Sequence, residues 1–261
     1  MQYKALMLDI DGTIIPYDYQ ANPSKKLKEA IKKTQEKVTV SLVTGRSPYS
    51  TKRFLKELGI KKGYAVVDNG AFVFDIEKEK IIYRQLIEEI DMQKIVDVLI
   101  DEKLIFYLKA ETGFTRTDDN YYTPYQPGDS LKGISMIFTD EMYTLEKTHK
   151  VMKRLSFPHV SVFRTRHHDP SKYAFNITHV KATKLHGVEV IAKKLGISRK
   201  EIIACGDGYN DYPLLMAAGL KVAMGNAIDD LKAIADYIAP TVQEDGVVDV
   251  IEKYILEKGM K

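Results

Sequence analysis

Short, continuously apolar runs alternate along the start of the chain with longer segments that are apolar on one side only. Residues 4–8 (KALML) and 38–43 (VTVSLV) match strands that are buried on both faces of a parallel sheet. Between them, residues 23–37 carry apolar side chains at helical spacing, with Asn22 as the predicted cap and Pro23 at the first helical position. This pattern predicts a strand–helix–strand unit with a right-handed crossover.

The same alternation continues to about residue 70 and then changes. A helix is predicted from Ser47 to Leu58, and a third core strand over residues 64–67. Two short apolar runs, over 72–75 and 80–84, predict an antiparallel hairpin. The middle of the chain then predicts a helix over 87–102, strands over 104–109 and 114–117, a long loop over 118–133, a strand over 134–139, a helix over 140–155, and strands over 160–165 and 173–178.

The first pattern resumes after residue 180. Its predicted elements are a helix over 183–195, a strand over 202–205, a helix near 210–218, a strand over 221–224 and a final helix over 246–257. We therefore predict an α/β protein, with a Rossmann-like, doubly wound parallel sheet as the core and an inserted α+β domain. The predicted core comprises residues 1–83 and 180–261, and the insert comprises residues 84–179.

Two acidic residues follow the first predicted strand directly. Asp9 and Asp11 are separated by one residue, Ile10, and Gly12 and Thr13 come next. Like charges this close repel each other, and a divalent cation relieves the repulsion. Oxygen ligands of this kind suit Mg²⁺. A hairpin turn at Asp11 and Gly12 is the structural alternative, but no alternating partner strand follows it.

A second acidic segment, GDGYND over residues 206–211, follows the buried run 202–205 in the same way. Its glycines allow the backbone to approach a ligand closely. The segment lacks the third glycine of a dinucleotide-binding fingerprint and the sixth-position glycine of a Ca²⁺ loop. Asp207 and Asp211 are therefore candidate metal ligands at the carboxyl edge of the sheet.

Thr44, Gly45 and Arg46 follow the second core strand. A hydroxyl, a glycine amide and a guanidinium at one helix entrance form a potential anion site, although a plain helix cap would produce the same triplet. Lys184 begins the helix after the insert and could add a positive charge to that anion site. A lysine taken singly is more often on the surface.

These segments occur in the order strand–DIDGT, strand–TGR, helix-start lysine and strand–GDGYND. The set resembles the four motifs of the haloacid dehalogenase-like (HAD) phosphatase superfamily, and it is most similar to the Cof-type branch with its large α/β cap. The segments DNGA at 68–71, TKLHGVEVIAKKLGI at 183–197 and VAMGNA at 222–227 support the resemblance. Leu185 departs from the glycine common in the family, and Lys181 is the alternative position for the motif lysine.

The resemblance implies a phosphatase that acts through an aspartyl-phosphate intermediate. It implies that Asp9 is the nucleophile and that Asp11 is the general acid and base. It also implies Mg²⁺ held by Asp9, Asp207 and the Asp11 backbone, with Asp211 acting mainly through water. The implied phosphate-binding residues are Thr44, Gly45, Arg46, Lys184 and Asn210, and Thr44 and Lys184 count among the catalytic groups.

Two groups of side chains in the insert are candidate substrate contacts. The first is basic, and we favour its interpretation as ordinary surface charge over contact with a second anionic group of the substrate. The second is aromatic and could stack on a substrate ring or anchor a loop. The basic group is Arg164, Arg166, His167, His168 and Lys172, and the aromatic group is Tyr121, Tyr122 and Tyr125.

The charge and composition of the chain limit the classes of partner that it can bind. The 261 residues carry a net charge of +3 from 39 basic and 36 acidic side chains, and the lysines over 25–33 are interpreted as a solvated helix face. No apolar run approaches the roughly 20 residues of a membrane span. The single cysteine, Cys205, excludes an internal disulfide. We expect a cytoplasmic protein, a monomer or weak homodimer, that binds a small phosphorylated metabolite and neither nucleic acid nor membrane.

Other functions use similar residues. A phosphotransferase or phosphomutase would have the same nucleophile and a similar cap. A non-catalytic phosphate-binding protein could share the fold, but the complete motifs disfavour it. A signalling receiver domain also combines Asp, Thr and Lys on an α/β core, but it is much shorter and carries its acceptor on the third strand.

Overall fold

The computed structural model describes residues 3–18, 20–110, 124–139, 143–165 and 172–257. In chain order, its strands and helices are β1 (Ala5–Leu8), α1 (Lys25–Thr34), β2 (Thr39–Leu42), α2 (Pro48–Glu57), β3 (Tyr64–Val67), β4 (Phe72–Asp75), β5 (Lys80–Arg84), α3 (Glu89–Asp101), β6 (Tyr107–Ala110), β7 (Ile134–Phe138), β8 (Tyr143–Thr144), α4 (Leu145–Arg154), β9 (Val160–Thr165), β10 (Lys172–His179), α5 (Lys184–Leu195), β11 (Ile202–Gly206), α6 (Tyr212–Met216), β12 (Leu220–Ala223), α7 (Asp229–Ala233), β13 (Tyr237–Ile238) and α8 (Gly246–Ile251).

The core is a parallel sheet with strand order β13-β12-β11-β1-β2. Because β1 lies inside the sheet and the chain adds strands on both sides of it, the predicted doubly wound α/β fold is confirmed. Leu6 and Leu8 of β1 pack into the apolar cluster on one face, and Ala5 and Met7 pack into the cluster on the other. Burial on both faces explains why the run in β1 is continuously apolar rather than alternating.

The first helix begins later than its sequence suggested. The prediction of Asn22 as cap and Pro23 as first helical residue is wrong, because Ser24 is the cap and α1 starts at Lys25. The Ser24 hydroxyl accepts a hydrogen bond from the Leu27 N–H at 2.9 Å, which satisfies a donor in the first turn. Pro23 therefore precedes the cap.

The third predicted strand continues the core and also begins a second sheet. A single parallel bridge between Val43 and Val66 links β3 to the end of β2, while β3, β4 and β5 form an antiparallel sheet. The predicted hairpin over β4 and β5 is confirmed. Asp68–Gly70 follows β3 as a short 3-10 turn, close to the loop after β2.

The third sheet has five strands: four follow the order β6-β7-β10-β8, and β9 pairs antiparallel with β10. We call this sheet with α3 and α4 the cap, and its apolar cluster includes Ile95, Val151 and Phe175. The predicted helix over 140–155 is wrong at its start, because β8 pairs with β10 and α4 begins only at Leu145. The predicted strand over 114–117 lies outside the described residues. The domain boundaries stay a prediction.

The C-terminal third contains two elements that the sequence did not indicate, α7 and β13. Both are very short, so neither shows a full period of apolar residues. The predicted final helix over 246–257 is corrected as well: α8 ends at Ile251, and a π-helical turn continues over Glu252–Leu256.

Glu102 ties the two cap helices together. Glu102 is the residue that follows α3. Its carboxylate accepts hydrogen bonds from Lys147 at 2.7 Å and Arg154 at 2.7 Å, both on α4, and the Lys150 ammonium lies 3.1 Å away. These hydrogen bonds, with that of Lys147 the strongest, lower the pKa of Glu102 from 4.5 to about 2. Since the pKa is lower in the folded state, the stabilisation is present above pH 4.5 and is lost as the pH falls toward 2.

We therefore predict that Glu102→Gln lowers the urea midpoint at pH 7, because three cations lose their common partner. The difference from the parent protein should shrink steadily between pH 4.5 and pH 2. Urea denaturation at several pH values measures this, with the exposed Glu36→Gln as the matched control. A deficit that is independent of pH would contradict the electrostatic explanation.

Candidate active site

Three buried carboxylates meet at the carboxyl edge of the core sheet. Asp9 follows β1, and Asp207 and Asp211 follow β11, the strand paired with β1. Each offers one carboxylate oxygen, and these oxygens lie within 4.8 Å of one another. The backbone N–H of Asp9 donates to the Cys205 carbonyl at 3.1 Å, so the pairing of the strands extends into the acidic loop. The structure thus brings together the two acidic segments that were predicted to hold a metal ion.

Lys184 provides the positive charge at this cluster. It is the first residue of α5, after Thr183 as the cap, and its side chain is 1% exposed. Its ammonium lies 2.8 Å from Asp9 Oδ1 and 2.6 Å from Asp211 Oδ1. Lys181, the alternative position for the motif lysine, is exposed. The geometry therefore favours Lys184 over Lys181.

The charges in the cluster do not balance. Burial, followed by the charge of Asp211, raises the pKa of Asp9 to about 7, and Lys184 opposes that rise. Burial together with Asp211 and Asp9 holds the pKa of Asp207 well above its usual value. Burial alone would lower the pKa of Lys184, but Asp211 and Asp9 outweigh it and raise that pKa. Three carboxylates facing one ammonium, with only oxygen donors, fit a divalent cation such as Mg²⁺.

Asp207 is oriented by two hydroxyl groups. The Thr13 hydroxyl donates to Asp207 Oδ1 at 3.3 Å, and the Tyr17 hydroxyl donates to Asp207 Oδ2 at 2.7 Å. Burial and the Asp207 charge raise the pKa of Tyr17, so the phenol keeps its proton. No local pattern indicated Tyr17, because it lies in an irregular segment without apolar periodicity, 190 residues from its partner.

Gly12 allows the two acidic loops to approach. A Cβ at this position would lie 2.3 Å from Asp207 Oδ2, and the backbone has a φ of +76°. The Asn226 side chain donates to the Gly12 carbonyl at 2.8 Å. Asn226 belongs to the segment VAMGNA, so this part of the resemblance has a structural reason: it holds the loop after β1.

Asp211 is engaged by the protein through both of its carboxylate oxygens. Oδ2 accepts the backbone N–H groups of Asp207 and Gly208, both at 2.9 Å, and Oδ1 accepts the Lys184 ammonium. These bonds hold the loop after β11 in a tight turn, with Asp211 at the end of the 3-10 turn Tyr209–Asp211. Metal binding through Asp211 stays a prediction.

Asp11 and Arg46 contact each other directly. The Arg46 guanidinium donates to both carboxylate oxygens of Asp11, at 2.8 and 2.6 Å, and to the Ser50 hydroxyl at 3.1 Å. Arg46 is 7% exposed and also lies over the Phe54 ring. In this arrangement Arg46 holds Asp11, and its predicted contact with phosphate stays a prediction.

The loops that follow β2 and β3 lie beside the acidic cluster. Thr44 is buried, and its hydroxyl accepts the backbone N–H of Arg46 at 3.1 Å. A Cβ on Gly45 would lie 3.0 Å from the side chain of Asn69. The Asn210 amide donates to Asn69 Oδ1 at 3.1 Å, which connects these loops to the segment after β11. The structure thus brings Thr44, Gly45 and Asn210 to one edge.

The cap contacts the same edge through Lys109 of β6. Its ammonium donates to the Gly45 carbonyl at 3.1 Å and lies 3.5 Å from Asp68 Oδ1, and both side chains are largely buried. The Ser135 hydroxyl of β7 donates to Asp68 Oδ2 at 3.0 Å. Burial raises the pKa of Asp68, while Lys109 and Ser135 oppose that rise. No sequence pattern indicated this contact.

The structure describes the side chains of two of the predicted substrate contacts in the cap. Tyr125 stacks on Phe106 with ring centroids 5.0 Å apart, so it anchors a loop of the cap. Arg164 is half-buried against Tyr209. The other predicted contacts lie outside the described residues or have side chains that the structure does not describe: Tyr121, Tyr122, Arg166, His167, His168 and Lys172.

Comparison with known proteins identifies the family. A sequence model described as haloacid dehalogenase-like hydrolase matches residues 6–251. The chain belongs to the haloacid dehalogenase-like hydrolases. Phosphoglycolate phosphatase 1 of Saccharolobus solfataricus is 30% identical over 97% of this chain and 96% of its own length. Phosphatase YwpJ of Bacillus subtilis is 27% identical over 95% of this chain and 99% of its own length.

A solved structure shows the same fold. A haloacid dehalogenase-like hydrolase from B. subtilis superimposes with a TM-score of 0.80 at 23% identity, covering 97% of this chain and 100% of that one. The predictions of the family, of the fold and of an enzyme of the phosphatase type are therefore confirmed. Among the residues that the structure describes, no helix combines the length and the apolar character needed to span a bilayer.

We predict that Lys184→Met destabilises the protein by about 3–5 kcal/mol at pH 7 in chelator, because it leaves buried carboxylates facing each other without a cation. The pKa of Asp9 is about 7 with Lys184 present, and Lys184 lowers it, so removing the ammonium raises that pKa further. The loss of stability should therefore grow as the pH rises above 7, where the parent carboxylate is ionised beside its cation. Urea denaturation at pH 7 and pH 9 measures both effects.

Lys181→Met is the matched control, since Lys181 is exposed three residues earlier, and we expect a change within about 0.5 kcal/mol. Equal losses of stability in the two variants would show that the Lys184 ammonium does not stabilise the buried carboxylates.

Proposed function

We propose that this chain is a Mg²⁺-dependent phosphatase that hydrolyses a small phosphorylated metabolite through an aspartyl-phosphate on Asp9. The observation that carries the proposal is the contact of one buried ammonium, Lys184, with Asp9 and Asp211 beside Asp207. A cluster built from oppositely charged buried groups suits the transfer of a phosphoryl group, in which charge stabilisation provides most of the catalysis.

Asp9 is the proposed nucleophile. Lys184 holds Asp9 Oδ1, so the ammonium orients the carboxylate and favours its ionised form despite burial. In the first step an Asp9 oxygen bonds to phosphorus, and the bond from phosphorus to the leaving oxygen breaks. In the second step a water oxygen bonds to phosphorus, and the bond to Asp9 breaks, which releases inorganic phosphate and restores the carboxylate.

Asp11 is the proposed proton donor and acceptor. It gives a proton to the leaving oxygen in the first step and takes one from the attacking water in the second, so the protons balance over the cycle. In the structure its carboxylate holds two hydrogen bonds from Arg46. A carboxylate in that state has no proton to donate, so acid catalysis requires Asp11 to leave Arg46 and carry a proton.

The proposed metal ligands are Asp9, Asp207 and the Asp11 backbone carbonyl, with Asp211 acting through its hold on the loop. When bound, the cation neutralises charge on the carboxylates and on the phosphoryl group. Thr44, Gly45, Lys184 and Asn210 are proposed to bind the phosphoryl oxygens, and Arg46 positions Asp11. These residues come from loops at the same edge of the sheet.

The proposed substrate class is a sugar phosphate or a similar phosphomonoester. The cap covers the edge where the loops meet, which suits selection of the leaving group and exclusion of water. One relative is named a phosphoglycolate phosphatase, which supports a small substrate. A cytoplasmic location, a monomeric or weakly dimeric state and domain boundaries near residues 84 and 179 belong to the same proposal.

Asp9→Asn should abolish turnover of p-nitrophenyl phosphate, because an amide cannot act as the nucleophile. We expect a loss of at least about a hundredfold in kcat with little change in thermal stability. Asp18→Asn, an exposed aspartate in the same loop, is the control and should keep full activity. An Asp9→Asn enzyme with more than about one hundredth of the parent activity would remove the covalent step from the proposal.

EDTA should abolish the phosphatase activity, and added Mg²⁺ should restore that activity. Mg²⁺ should also raise the Tm of the parent protein, because a ligand that binds only the folded state stabilises it. Asp207→Asn should abolish that rise in Tm, measured by thermal denaturation with and without Mg²⁺. Full activity in chelator would contradict the proposed dependence on Mg²⁺. If phosphate were still released without any acceptor, the proposed hydrolysis would stand.

A further inference from the structure

One cap arginine contacts the loop that carries Asp207 and Asp211. The guanidinium carbon of Arg164, on β9, lies 4.4 Å from the centre of the Tyr209 ring and 5.1 Å from that of Tyr173. Tyr209 is the residue before Asn210 in the segment GDGYND. Arg164 therefore places a permanent positive charge from the cap against the candidate active site.

This charge differs in its partners from two other cap cations, Lys109 and Arg154. Lys109 pairs with Asp68, and Arg154 pairs with Asp101 and Glu102. Within the described ranges, no carboxylate lies at ion-pair distance from Arg164, whose contacts are the two aromatic rings. A half-buried guanidinium that has no carboxylate partner among the residues the structure describes has unused capacity for an anion.

The contacts with the two rings leave that capacity available, because an aromatic ring interacts with the charge and accepts no strong hydrogen bond. A ring on the face of a guanidinium interacts with its charge, while the five N–H groups point outward in the plane. Tyr209 and Tyr173 also contact each other, with ring centroids 6.2 Å apart at an interplanar angle of 62°. The two rings thus support Arg164 from the core and from the cap together, and restrict the guanidinium before any ligand arrives.

We propose that Arg164 binds a second anionic group of the substrate, a carboxylate or a phosphate on the part that is not transferred. This inference rests on the proposed function, in which the transferred phosphoryl group lies at Asp9 and Lys184. The cap covers that edge, so the rest of the substrate lies toward the cap, where Arg164 is located. Substrates with two anionic groups are the class this arrangement favours.

A purely structural role would have a different signature. If Arg164 only held the cap against Tyr209, its loss would affect all substrates equally. If it binds an anion, its loss affects only substrates that carry the second charge. A charge-assisted, two-point hydrogen bond of this kind corresponds to a preference of roughly 10- to 100-fold.

The experiment compares specificity constants, with Mg²⁺ present, for two matched pairs of esters. The first pair is 2-phosphoglycolate and 2-phosphoglycolamide, in which an uncharged amide replaces the carboxylate. The second is a hexose bisphosphate and the corresponding hexose monophosphate, so the pairs distinguish a carboxylate from a phosphate as the recognised group. The variants are Arg164→Met, Arg164→Lys and the control Lys153→Met, which removes an exposed positive charge from α4 of the cap.

We expect the parent enzyme to prefer, in at least one pair, the member that carries the second anionic group. Arg164→Met should reduce that preference by roughly 10- to 100-fold, mainly through KM, while hydrolysis of the member without the second anionic group changes less than about threefold. Arg164→Lys should keep an intermediate preference, because it retains the charge but not the planar donors. Lys153→Met should behave as the parent enzyme.

Two results would contradict the proposed anion site. One is an equal loss of the specificity constant of Arg164→Met for both members of each pair, and the other is a parent enzyme without preference in either pair. In both cases hydrolysis itself would continue, so the proposed function would stand. A parent protein that hydrolyses none of the four esters and no p-nitrophenyl phosphate would overturn the proposed function, and the anion site with it. Thermal denaturation of Arg164→Met confirms that the variant compared is folded.

Discussion

The contact between Lys184 and the carboxylates of Asp9 and Asp211 is the constraint on which the rest of the structure depends. Burying charges is costly unless they are paired, and here one ammonium faces three carboxylates. The pairing of β1 with β11 fixes the two acidic loops, and the start of α5 supplies the lysine. The excess negative charge makes the cluster incomplete by itself, which is the physical reason to expect a cation there.

The surrounding loops are built to hold this unfavourable cluster in one arrangement. Two backbone N–H groups and the ammonium fix Asp211, while the Thr13 and Tyr17 hydroxyls fix Asp207. Gly12 leaves the space that lets the loops touch. Because nearly every polar atom in the cluster has a fixed partner, the carboxylates need little reorganisation when a substrate binds, which favours catalysis by preorganised charge.

The sequence predicted those parts of the site that follow from local patterns. Continuous apolar runs located β1 and β11, and acidic residues at their ends placed Asp9 and Asp207 at one sheet edge. It did not predict the pairing of Arg46 with Asp11, the contact of Tyr17 with Asp207 or that of Lys109 with Asp68. These contacts join residues 35 to 190 positions apart and depend on tertiary geometry that no local period records. The short elements α7 and β13 escaped for lack of a full period.

The polar character of the contact between cap and core has a consequence for turnover. Lys109 reaches the Gly45 carbonyl and Asp68, and Arg164 lies on Tyr209, so the cap is attached beside both the loop after β2 and the loop after β11. Separating charged groups into water costs little, because hydration replaces the lost pair, whereas separating apolar surfaces would expose them. An interface of this kind can close over a substrate and open again to release phosphate. The same contacts would link cap closure to the arrangement of the catalytic loops, because Gly45 and Tyr209 each lie next to a proposed phosphate-binding residue.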